Sequence, residues 1–185
     1  MSAAPQPAAP LAGPAKAEFL GAMRHFVGSV SVITVGAGDQ LSGLVVTSAV
    51  SLSAEPPQVL ICVNRGSSSW PLLKQYGHFG VNALAARHQP VAERFSGFGG
   101  IKGAARYDGA EWVTAATGAR LLADAPVALD CRVEEMIDRA SHSILIGRVV
   151  AIRAASEQDA LVYWHGGYRS CAGGDGSERA AVPAA

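Results

Sequence analysis

Charge is scarce in this chain and neither sign prevails. Asp, Glu, Lys and Arg make up 16% of the 185 residues, 15 basic against 15 acidic, for a formal net charge of zero. A protein that grips a polyanion usually carries a basic surplus or stripe, so no nucleic-acid partner is expected. No apolar run reaches the roughly 18 residues a spanning helix needs, and no membrane role is expected either. Cysteine is limited to Cys62, Cys131 and Cys171, with no CxxC pair. The first residues lack the basic and apolar regions of a secretory signal, and an odd cysteine count then predicts a reducing, cytoplasmic setting. The five histidines, at positions 25, 78, 88, 142 and 165, show neither HxxxH nor HxH spacing, so no metal site is expected. The signatures GxxxxGK[ST], GxSxG and HExxH are all missing. Gly36-Ala-Gly38-Asp-Gln-Leu41 lacks the third glycine of a dinucleotide fingerprint and reads as a turn. Glu134 and Glu135 are neighbours whose side chains leave a strand on opposite faces, so they cannot share a proton.

What the chain does have is apolar material, 49% of its residues, enough for a large core in a single domain. Residues 1–16 form an Ala/Pro-rich stretch and residues 170–185 an Ala/Gly/Ser-rich one. Both are expected to be loose tails around a folded unit at 17–169. An apolar chain with no net charge also tends to self-associate, and a homo-oligomer is expected.

Most of the folded unit reads as strand. Val30–Val35 is β-branched and closed by a turn at Gly36–Asp39. Leu44–Ser53 is a long extended segment stopped by Pro56-Pro57. Val59–Val63, Phe79–Leu84, Ala128–Val133, Ser143–Ile152 and Ala160–Trp164 bring the count to about seven strands. Three helices are expected: Glu18–Phe26, with an apolar stripe at Phe19, Ala22, Met23 and Phe26, and Ser69–Tyr76 and Pro90–Phe95, each with proline at its start. Strands that do not alternate with long helices argue for an antiparallel barrel over a doubly wound sheet.

Two segments carry candidate chemistry. In Gly43–Ser53, the hydroxyls of Thr47, Ser48, Ser51 and Ser53 interrupt an apolar strand. In Val63–Leu73, a buried strand ends in Asn64-Arg65-Gly66, and three serines lead into a helix. Hydroxyls and backbone N–H groups are how a site without charge holds a phosphate and the polar edge of a ring, and Arg65 could add a positive charge. Either segment alone reads equally as an edge strand or an ordinary helix cap. Only one expected strand separates them, so they can converge on one ligand.

At these residues the chain resembles the short-chain flavin reductases. The resemblance lies in Phe26–Thr34, Ser51–Pro57, Val59–Pro71, Phe79–Asn82, Ala92–Ser96, Gly118–Leu122, Ser141–Val149 and Leu161–Tyr168, in order across residues 18–169. It implies a mostly β, antiparallel FMN-binding split barrel with a few short peripheral helices, commonly a homodimer. It further implies reduction of FMN or FAD by NADH or NADPH, with reduced flavin passing to a flavin-dependent monooxygenase. Carried over by position, the flavin ring and ribityl chain would lie beside Thr47, Ser48, Ala49 and Ser51. The phosphate would lie on the Asn64–Ser69 turn, with Arg65 near and Ser67 and Ser69 foremost. His142, alone an ordinary histidine at a strand start, becomes the candidate catalytic residue beside flavin and nicotinamide, and Tyr168 an aromatic neighbour. Arg24 and Arg148 are surface charges that could meet a nicotinamide phosphate. The chain departs from the family pattern at Val45, Val46, Ala49 and Val50, which bears on the ring contacts and on the choice of flavin. A flavin carrier or sensor without activity, or a split-barrel flavin oxidase, stays open as an alternative.

Overall fold

The structure, a computed structural model, describes residues 13–156 and 159–172. Most of the two expected tails therefore lies outside the described residues. In chain order the elements are α1 (Lys16–Met23), β1 (Gly28–Ser29), β2 (Ser31–Ala37), β3 (Gln40–Val46), β4 (Val50–Ala54), β5 (Pro57–Asn64), α2 (Trp70–Tyr76), β6 (His78–Ala83), α3 (Gln89–Ser96), β7 (Trp112–Thr114), β8 (Arg120–Leu122), β9 (Val127–Arg139), β10 (His142–Ala154), β11 (Asp159–Trp164) and β12 (Gly167–Ala172). Single turns of 3-10 helix flank α3.

Seven strands form one antiparallel sheet in the order β3-β2-β6-β9-β10-β5-β4. Its two outer strands, β3 and β4, are consecutive in the chain and joined by residues 47–49 alone. So short a link reaches at most about 14 Å, which forces the two edges together at one corner and curls the sheet into a barrel split along β3 and β4. The extended segment expected at Leu44–Ser53 is thus broken in the middle. Thr47-Ser-Ala49 has the composition of a strand, but the corner of the barrel falls there. β1, β11 and β12 make a separate three-stranded sheet, and β7 pairs with β8.

The alternation of strand side chains builds two cores. Ile33, Ile61, Phe79 and Leu145 fill the barrel, and Leu73 of α2 packs against them. Val32, Leu84 and Leu161 face outward against α3 and a ring cluster of Phe95, Tyr107 and Trp112, whose centroids lie 4.9–5.5 Å apart. β2 is buried on both faces, which accounts for its unbroken apolar run. Gly147 lets β10 cross the Phe79 ring, since a Cβ there would stand 2.4 Å from Phe79 Cζ.

α2 and α3 form within a residue of the expected bounds, each with proline in its first turn. α1 ends at Met23 and buries none of its residues, so the stripe of Phe19 and Met23 faces outward. β12 runs to Ala172, beyond the Arg169 expected to close the folded unit. Among the described residues no helix is long and apolar enough to cross a membrane.

Candidate functional site

The candidate residues fall into three neighbouring groups. The first is the link between β3 and β4. Ser48 Oγ accepts a hydrogen bond from Cys62 N at 3.0 Å and donates to Cys62 O at 3.4 Å. Its hydroxyl therefore fastens the link to β5. Ala49 and Ser51 lie beyond it, lining a hollow of about 500 Å3 at the barrel mouth with Ser29, Ser31, Val81 and Val149. Thr47 is exposed and faces elsewhere, toward β11 and β12. The strand β1 passes so close to it that a Cβ on Gly28 would stand 2.6 Å from Thr47 Cβ.

The second group surrounds Thr47. The turn between β11 and β12 is His165-Gly166, both residues at positive φ (49° and 80°), the signature of a two-residue type I′ hairpin. That register sets Tyr163 opposite Tyr168, with ring centroids 5.5 Å apart at 71°. Thr47, Tyr163, Tyr168, Val45 and Ser96 line a hollow of about 360 Å3. Partial burial raises the Tyr168 pKa, with Tyr163 and Glu93 adding to the effect, so the phenol stays a proton donor. Tyr163 was not singled out in the sequence. The aromatic residues flanking His165-Gly-Gly167 were the signal, since a two-residue turn there makes them partners.

The third group sits where β5 ends. Cys62 and Asn64 share a face of β5, two residues or about 7 Å apart, so the link and this group are adjacent. His142 opens β10 directly opposite Asn64. Asn64 Oδ1 accepts the Gly66 N–H at 2.8 Å, folding the chain back toward α2. Ser67 Oγ is buried without a partner. Ser69 is different: it is wholly buried and meets Ser42 Oγ at 2.9 Å, under the loop and away from its surface. Of the two serines foremost for a phosphate, only Ser67 keeps a free hydroxyl.

Arg65 is engaged within the protein. Its guanidinium pairs with Asp138 at 3.2 Å and donates to Ala140 O, and its backbone N donates to Ser141 O at 3.0 Å. Asp138 also accepts the Ser143 hydroxyl at 2.5 Å, and that bond first, with Arg65 behind it, holds the carboxyl below its usual pKa. Ser141 Oγ lies 2.9 Å from His142 Nδ1. Arg148, one of the two arginines considered for a nicotinamide phosphate, pairs with Glu134 at 2.6 Å. Glu134 lies at a bulge in β9, where two residues oppose one on β10. Arg24 lines a third hollow with Thr47, Tyr163, Trp164 and His165.

A split barrel whose corner link and strand-end loop adjoin, with hydroxyls and few free charges around them, is the architecture of flavin reductases. Residues 23–172 match the family model described as Flavin reductase like domain, and the chain belongs to that family. It is 35% identical over 164 residues to a protein named FMN reductase (NADH) RutF 2 from Rhizobium rhizogenes, covering 89% of this chain and 94% of the relative. The solved structure of BorF, the flavin reductase component of a bacterial two-component tryptophan halogenase, superposes with TM-score 0.78 at 31% identity over 85% of this chain and 99% of that one. The NADH:FAD oxidoreductase SgcE6 of Streptomyces globisporus C-1027, in complex with NAD and FAD fragments, does so with TM-score 0.78 at 27% identity over 91% of this chain and all of that one.

Proposed function

We propose that this protein is an NADH-dependent flavin reductase acting on FMN or FAD, whose reduced product serves a separate flavin-dependent monooxygenase. The observation that carries the reading is the junction at Cys62. The Ser48 hydroxyl ties the corner link to β5 two residues before Asn64, so the two segments matched to the family form one surface with His142 opposite. Ser67 suits a flavin phosphate, offering a buried hydroxyl without a partner, whereas Ala49 and Ser51 border a hollow on the Val59 face of β5, opposite the face of Cys62 and Asn64.

When both are bound, hydride passes from nicotinamide to flavin, so the pair supplies the reactivity and the chain needs no triad. The work of the residues is placement. The link would border the ring, Ser67 would anchor the phosphate with Asn64 shaping its loop, and Ser48 keeps link and loop at a fixed spacing. Tyr168 offers a phenol O–H donor beside Thr47. His142 borders the ring from β10 and sets the approach of the donor. Exposed Val50 and Ile152 line the hollow beside Ala49 and Ser51, and a second copy of the chain would cover them, as a homodimer does. Steady-state NADH oxidation tests the reading: the purified protein should oxidise NADH only when FMN, FAD or riboflavin is added. Oxidation no faster than in the protein-free control, with every flavin and with NADH or NADPH, would overturn it.

A further inference from the structure

The β9–β10 hairpin carries His142 on one face and a chain of polar contacts on the other. Strand register pairs His142 with Asn64 and Arg139, while Ser143 pairs with Asp138 and Val63 and so points to the opposite side. There Trp70 Nε1 donates to Ser143 Oγ at 2.8 Å, and Ser143 donates to Asp138 Oδ1 at 2.5 Å. Asp138 Oδ2 accepts Arg65 Nη1 at 3.2 Å. Arg65 then closes the chain on the hairpin turn, holding the carbonyl of Ala140 with its guanidinium and that of Ser141 with its backbone N–H. At the other end Lys74 Nζ stands 4.8 Å over the Trp70 ring.

This chain joins three segments: the first turn of α2, the end of β5, and both sides of the hairpin. The turn it grips is Ala140-Ser141, with Ala140 in the left-handed region at φ 47°, where a residue other than glycine persists only if its surroundings fix it. Ser143 is fully buried, while the Arg65 and Asp138 side chains stay 40% and 53% exposed. A planar guanidinium can span from the Asp138 carboxylate to the Ala140 carbonyl at once, which a lysine ammonium cannot.

We propose that Trp70, Ser143, Asp138 and Arg65 are positioning residues, a brace that fixes His142 relative to the Ser67 loop, and that Arg65 serves this brace and not a flavin phosphate. The proposal rests on the reading of His142 as a residue of the flavin site. It explains why Arg65, beside the Ser67 loop, directs its donors to the hairpin. It also gives the Trp70 indole a task, since α2 carries both that indole and the loop with Ser67.

FMN and riboflavin differ only by the phosphate, so their comparison separates the two roles of Arg65. Arg65→Ala and Asp138→Asn should each lower kcat roughly tenfold or more with both flavins, because a displaced group costs rate whichever flavin is bound. The FMN-to-riboflavin ratio of kcat/KM should stay at the wild-type value. Arg65→Lys should not rescue, and the double variant should be no worse than the poorer single one. Ser67→Ala should instead raise KM for FMN and leave riboflavin unchanged. A several-fold selective loss with FMN in Arg65→Ala would overturn the proposal, and so would an unchanged kcat in Asp138→Asn. The imidazole resonances of His142 give a readout independent of turnover. They should move in Asp138→Asn, which keeps the side-chain shape, and in Arg65→Ala, but not in Ser67→Ala. Unmoved resonances would overturn the brace. A wild-type protein inactive with every flavin would sink the enzyme reading and leave this spectroscopic test of the brace standing.

Discussion

Two hairpins bring residues to the candidate site, and they are built alike but anchored differently. β9–β10 turns at Ala140-Ser141 and β11–β12 at His165-Gly166. Each is a two-residue turn, and each places a non-glycine residue at positive φ, Ala140 at 47° and His165 at 49°. The first is gripped from behind by side chains of α2 and β5 and lies over the barrel core. The second has a Tyr163–Tyr168 ring contact and a bond from His165 N to Arg24 O at the end of α1, a helix that buries nothing. Turns of equal length but different backbone, with both residues at positive φ in the second and only Ala140 in the first, thus carry His142 on a braced arm and Tyr168 on a more lightly held one.

The comparison predicts effects of different kind and size. The largest is on rate. His142→Ala should lower kcat on the order of a hundredfold with little change in KM, whereas Tyr168→Ala should mainly raise KM, as separate kcat and KM measurements will show. Next comes stability. Gly147→Ala drives a Cβ to within 2.4 Å of the buried Phe79 ring under the braced hairpin, and thermal unfolding should register a loss of about 1–3 kcal/mol. Gly166→Ala in the other hairpin meets nothing within 4 Å and should cost only the left-handed backbone, about 1 kcal/mol.

Smaller effects follow pH and reagents. The Asp138 carboxyl is held below its usual pKa by the Ser143 hydroxyl and Arg65. Its contribution is therefore complete above the ordinary carboxylate value, about 3.9, and is lost as pH falls through the lowered one. The indole N–H resonance of Trp70, read through Ser143, should hold steady from pH 8 to about 5 and move only in stronger acid. Finally, Cys131 in β9 is fully buried and its thiol is pushed up to about 12, whereas Cys171 in β12 is exposed. An alkylating reagent at mild alkaline pH should label Cys171 and spare Cys131 in the native protein.

Much of this architecture is written locally. β5 and β6 show as short apolar runs because both are interior strands, β2 because it is buried on both sides, and α2 and α3 because proline marks their starts. The corner at residues 47–49 is invisible locally, since Thr-Ser-Ala suits a strand and only closure of the sheet makes it turn. β7 and β8, three residues each, are too short to show any period. At the site, the family resemblance assigned Ser67 and His142 to one ligand, but side-chain direction lay beyond its reach. Whether Ser69 faces a ligand or Ser42, and whether Arg65 faces a phosphate or Asp138, depends on which segments are neighbours in space. The brace itself joins Trp70 to Ser143 across 73 residues of chain, and no spacing rule connects them.

The central functional claim is that the barrel moves hydride from reduced nicotinamide to flavin. Anaerobic titration of FMN with NADH in the presence of a catalytic amount of the protein tests it directly. The yellow flavin absorbance should bleach in proportion to added NADH, one equivalent per flavin, far faster than without protein. Flavin that remains oxidised after a full equivalent of NADH, and likewise of NADPH, would contradict it.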